Sequence, residues 1–145
     1  LLVNSGNVID LPGAFKDKLL EVTKEFNVVQ WAYDPHNAAY LALELNAEFG
    51  DDFCFEFFQS HGMYNETMEE FLNAVKKAML RHGDDALLMF AAQNLVINKN
   101  SKNEWMPKKD SSTGKIDPIV AAIMAFGGAM KNDAASNFWN PAVGV

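Results

Sequence analysis

The chain is 145 residues long, 49% hydrophobic and 21% charged, which excludes a disordered polymer and suffices for one domain with a real core. Its formal net charge of −7 argues against clamping of nucleic acid over the whole surface. A nuclease is not excluded, because acids that hold divalent cations add negative charge and the cations then meet phosphate.

In chain order, the N-terminus shows no basic region followed by an apolar stretch, so no secretory leader is expected. With no initiator Met, Leu1-Leu2-Val3 reads as the end of a strand already under way in a longer protein. Residues 2–9 read as a strand, turned by Asn4-Ser5-Gly6-Asn7. Over 13–26, Phe15, Leu19, Leu20, Val22 and Phe26 recur at spacings of three and four, an amphipathic helix. Residues 27–33 (NVVQWAY) are almost unbroken in hydrophobicity, the pattern of a buried central strand in a mixed sheet. Pro35 then suits the first turn of a helix over 35–49, stopped by Gly50.

Residues 53–58 (FCFEFF) read as a second buried strand; its Cys54, the single cysteine, excludes an internal disulfide and fits a reducing compartment. Thr67 and Glu70 form a capping box for a helix through Arg81, with Gly83 as its stop. Asp85 caps a helix over 86–94. Short strands at 95–98 and 104–107 flank the turn Asn100-Ser101-Lys102-Asn103, and 108–115 is a polar linker. The last helix starts near Ile116; its apolar run, to 130, is broken by Asp117, Pro118, Gly127 and Gly128 and falls short of the ~18 residues that span a bilayer. Residues 131–145 read as a flexible tail behind a domain over 1–130. Helices alternating with buried strands imply a layered α/β domain.

Two acids stand where chemistry gathers. Asp34 follows a buried strand, and ligands collect at the carboxyl ends of strands in open α/β sheets. An Asp before a Pro-started helix is equally a good N-cap. Asp117 repeats the Asp-Pro pattern, with capping again the plain alternative, but opens a helix apolar almost all round, which puts its carboxylate toward the interior or a cleft. Two such acids suit a shared Mg²⁺ or Mn²⁺, cations that favour carboxylate oxygen and water.

The segments Tyr33-Asp34-Pro35-x-x-Ala38 and Lys115-Ile116-Asp117-x-x-Val120-Ala121-x-Ile123-Met124-Ala125 resemble the nuclease half of tailed-phage terminase large subunits. Gln59, Arg81-His82-Gly83 and Asn94 with its following hairpin fall where that family has comparable residues, so the resemblance covers roughly 6–130. It implies a ribonuclease H-like mixed sheet with helices on both faces, in which three acids hold two Mg²⁺ or Mn²⁺ ions. Asp34 and Asp117 match the second and third acids; the first is expected upstream of Leu1, together with the opening strands, and Asp10 is not assigned to the site. No G-x-x-x-x-G-K-[ST] motif occurs, so the ATPase that belongs with such a nuclease is expected upstream as well.

The implied function is metal-dependent cutting of concatemeric double-stranded phage DNA during genome packaging, in the cytoplasm of the bacterial host. The implied partners are the phage portal and the small terminase subunit, no membrane being involved, and the fragment alone is expected to be inactive. The rival reading is a non-catalytic α/β docking module or an inactive prophage remnant. Lys108, Lys109 and Lys115 flank Asp117 and are placed to touch phosphate, or are solvated loop charge. His36, His61 and His82 have no metal-ligand spacing, and Trp31 and Trp105 read as core.

Overall fold

The computed structural model describes residues 11–109 and 114–132, so the strand read over 2–9, its turn, Asp10 and the tail from 133 onward lie outside the described residues. The chain divides into two compact units, Leu1–Glu56 and Phe57–Val145.

In the first unit a π-helical turn, Leu11–Phe15, bends at Gly13 and leads into α1 (Lys16–Glu25). Strand β1 (Trp31–Tyr33), helix α2 (Pro35–Phe49) and strand β2 (Cys54–Glu56) follow. The strands pair in parallel, Trp31 opposite Cys54 and Tyr33 opposite Glu56, so β1-α2-β2 is a crossover unit. Leu41, Ala42 and Leu45 of α2 are buried against Cys54, with Leu19, Leu20 and Trp31 packed on them. The Trp31 indole N–H donates to Thr23 Oγ1 at 3.0 Å, tying β1 to α1. In the last turns of α2, Asn46 Oδ1 accepts the Cys54 N–H at 2.8 Å and sets the start of β2.

Strand β1 is shorter than the run 27–33 promised. Its residues are half-buried, Val29 is exposed, and among the described residues β2 is its one strand neighbour. Only the three residues that face β2 gain ladder hydrogen bonds there, and hydrophobicity alone does not extend a strand.

In the second unit α3 (His61–Lys76) begins about two turns before the expected capping box. Ser60 is the cap, its Oγ accepting the Met63 N–H, while Thr67 is buried inside the helix and donates its hydroxyl back to Met63 O at 3.0 Å. The helix also ends early. Ala78 sits at φ +53, with its N–H on Val75 O and the Met79 N–H on Ala74 O, a Schellman closure built on alanine.

Helix α4 (Ala86–Gln93) is capped by Asp85, whose Oδ1 accepts the Leu88 N–H at 2.7 Å, as its sequence implies. Strands β3 (Ile97–Lys99) and β4 (Trp105–Pro107) form an antiparallel hairpin. Asn100 closes it by accepting the Lys102 and Glu104 N–H groups on Oδ1. The Trp105 N–H donates to Asn65 Oδ1 at 3.1 Å, joining the hairpin to α3.

Helix α5 (Asp117–Lys131) buries Ile119, Val120, Ile123, Gly127 and Gly128, one stripe at helical spacing. Its outward face is not buried: Ala121, Ala125 and Ala129 are exposed, so the run that reads as apolar all round is half alanine surface. Gly127 permits the closest approach in this unit. A Cβ there would lie 2.6 Å from Phe57 Cε2 and 3.1 Å from Thr67 side-chain atoms, which no real side chain tolerates.

Candidate functional site

Asp34 ends β1 and caps α2. Its Oδ1 accepts the His36 N–H at 3.1 Å, its backbone is extended, and Pro35 fills the first helical position, where the missing N–H costs nothing. The capping role and the strand-end position therefore coexist in one half-buried carboxylate.

Asp117 differs, although the same dipeptide opens its helix. The N-cap of α5 is Ile116, no side chain caps the helix, and Asp117 is its first helical residue. Ile116 is 3% exposed and takes the inward place, with Ile119 and Val120 buried behind it. The carboxylate of Asp117 is thereby turned outward and is 65% exposed, rather than facing the interior. Its contact is Lys109, whose Nζ lies 3.2 Å from Oδ1. In the sequence Lys109 is only a flanking charge of Asp117. An eight-residue separation through a polar linker carries no periodicity, and nothing in the spacing signals the ion pair.

Lys108 and Lys115 are exposed like Lys109. The Lys108 N–H donates to Val96 O at 2.8 Å, which continues the hairpin ladder and fixes the backbone on which Lys109 stands. Asn94 follows α4 and donates from Nδ2 to Phe90 O at 2.8 Å; a Cβ on Gly114 would meet its side chain at 2.9 Å. Gln59 accepts the Tyr64 hydroxyl at 2.6 Å. Both polar residues thus serve local structure. His36 is exposed, and His82 Nδ1 stands 4.0 Å from Asp84 Oδ1 at the surface.

Among the described residues no three His, Cys, Asp or Glu side chains gather as a cation-binding group. Asp34 belongs to the first unit and Asp117 to the second, each held at an element end by local packing.

None of the curated proteins matches the chain. Among solved structures it is similar to the large terminase of bacteriophage HK97, with a TM-score of 0.69 and 22% identity, over 78% of this chain and 24% of that one. The present chain thus spans about a quarter of that protein's length. The likeness bears out the expected mixed α/β, ribonuclease H-like fold class. The family model described as terminase large subunit, endonuclease domain, matches residues 3–133. With that match over nearly its whole length, the chain belongs to the terminase large subunit endonuclease domain family.

Proposed function

We propose that this chain is part of a divalent-metal-dependent endonuclease that cuts concatemeric phage DNA during genome packaging in the bacterial cytoplasm. Asp117 carries the reading. It heads a helix whose buried stripe fixes its position, yet its carboxylate is not used as a cap and stands open to solvent with a cation beside it.

The donor chemistry fits hard cations: Asp34 and Asp117 offer carboxylate oxygen and leave coordination positions for water and phosphate. Family resemblance makes each of these two acids a metal ligand, together with a third, which we place on a strand upstream of Leu1 rather than at Asp10. Asp34 and Asp117 would hold Mg²⁺ or Mn²⁺, which when bound would supply an activated water and charge stabilisation for the leaving oxygen. The cap that Asp34 forms on α2 orients its carboxylate. Lys108, Lys109 and Lys115 attract the DNA backbone to a chain that is otherwise acidic. An upstream ATPase, the portal and the small terminase subunit are the proposed partners, and these 145 residues alone are expected to cut little.

The test is Asp117→Asn in the full-length protein, with plasmid cleavage in Mg²⁺ or Mn²⁺ and the melting temperature measured together. Cleavage should be abolished. Stability should fall by no more than about 1 kcal/mol, the upper range for an exposed ion pair. Normal cleavage by the variant would overturn the reading. Mn²⁺ anomalous scattering from crystals of the full-length protein should find ions on both Asp34 and Asp117.

A further inference from the structure

We infer that Lys109 is the resident counter-ion of Asp117, competing with the divalent cation for that carboxylate and giving way when the cation binds. The inference rests on the reading of Asp117 as a metal ligand. It adds a residue and a sequence of events: the carboxylate is paired with the protein's own ammonium group, and metal entry frees that group for DNA phosphate.

Three observations carry it. The Lys109 Nζ to Asp117 Oδ1 distance of 3.2 Å is that of a direct ion pair on the carboxylate a cation would take. The two backbones are separately pinned. Lys109 follows buried Pro107 and the Lys108 N–H bonded to Val96 O, while Asp117 follows buried Ile116. The side chains can therefore part without moving either element. Finally, both are well exposed, at 62% and 65%, so water replaces the contact readily and the pair is weak enough to yield.

Charge explains why such a pair is useful at this position. An ammonium brings one positive charge and holds the carboxylate at hydrogen-bond distance; a divalent cation brings two and binds carboxylate oxygen directly at about 2.1 Å. Asp117 is neutralised in either state. Once displaced, Lys109 joins exposed Lys115 as a second basic side chain available to phosphate. Metal binding and DNA binding then reinforce each other, and the coupling is reciprocal.

The experiment uses the full-length protein with Fe²⁺ in place of Mg²⁺ and ascorbate–peroxide, so that radicals cut the backbone near the bound ion. The Fe²⁺ concentration giving half-maximal scission beside the start of α5 reads occupancy at Asp117 without reference to DNA cleavage. Lys109→Gln should lower that concentration roughly two- to five-fold, the range over which exposed ion pairs couple, while Lys109→Arg keeps the wild-type value. Asp117→Asn should remove scission at that place. If Asp117→Asn leaves scission there unchanged, the metal reading itself fails. If Asp117→Asn removes it but Lys109→Gln leaves the midpoint unchanged or raises it, the counter-ion role is overturned and the metal reading stands.

Discussion

Glu44 of α2 shows how a single side chain ties two helices of the first unit together. Its carboxylate meets the Lys16 ammonium of α1 at 3.0 Å and accepts the Tyr40 hydroxyl at 3.0 Å, with the Lys16 and Glu44 side chains only 24% and 29% exposed. The Lys16 hydrogen bond, then that of Tyr40, hold the Glu44 carboxyl below its ordinary 4.5, and the same pairing lifts Lys16 above 10.5. A lowered carboxyl pKa stabilises the fold above the ordinary value, and that share is lost as pH falls through the lowered one. The raised lysine contributes below 10.5 and loses its share as pH rises through its folded value. Glu44→Gln should therefore melt earlier than the wild type near pH 7, and the gap should close in strong acid; melting curves at pH 7 and pH 2 check this. Residue roles were only partly legible beforehand. Asp34 and Asp117 share the Asp-Pro dipeptide, and what separates them is the burial of Ile116, a tertiary fact with no local signature. For the same reason Lys109 was visible as a charge but not as a partner.

Elements were most legible where the chain carries its own stop and start signals. Asp34-Pro35 and Gly50 bound α2 as expected, and Asp85 starts α4. Helix α3 differs from its expected bounds at both ends; at its start Thr67 and Glu70 imitate a capping box inside a helix already capped by Ser60. Its end was missed because alanine, not glycine, occupies the left-handed position at residue 78. That choice leaves room for improvement. A non-glycine residue in this region costs about 1–2 kcal/mol, while the added freedom of glycine in the unfolded chain returns about 0.4–1 kcal/mol. Ala78→Gly should thus stabilise the protein by roughly 0.5 kcal/mol, a rise of about 1–2 °C in melting temperature. A fall instead would mean that the alanine methyl makes contacts worth more than the backbone strain.

At the scale of the molecule, alternating helices and strands made the α/β class legible, and the terminase-like segments at Asp34 and Asp117 pointed to the family. The division after Glu56 was not legible: 53–58 reads as one apolar strand, yet Glu56 closes one unit and Phe57 opens the next. Close packing was equally hidden, since Gly127 looks like an interruption in an apolar helix rather than the point where α5 meets Phe57 and Thr67. Asp117 stands ten residues up the same helix, about 15 Å away at 1.5 Å per residue. A methyl group at 127 must push the helix off Phe57, at roughly 1–3 kcal/mol for overpacking. Gly127→Ala should lower the melting temperature, and it should also slow cleavage measured well below that temperature, where the protein is still folded. Unchanged cleavage there would show the site to be indifferent to the seating of α5. A rigid helix acts as a lever arm, and cation coordination tolerates errors of only about 0.2 Å. On the proposed reading of Asp117 as a metal ligand, the accuracy with which it is aimed would be set by the absence of one carbon atom toward the far end of its helix.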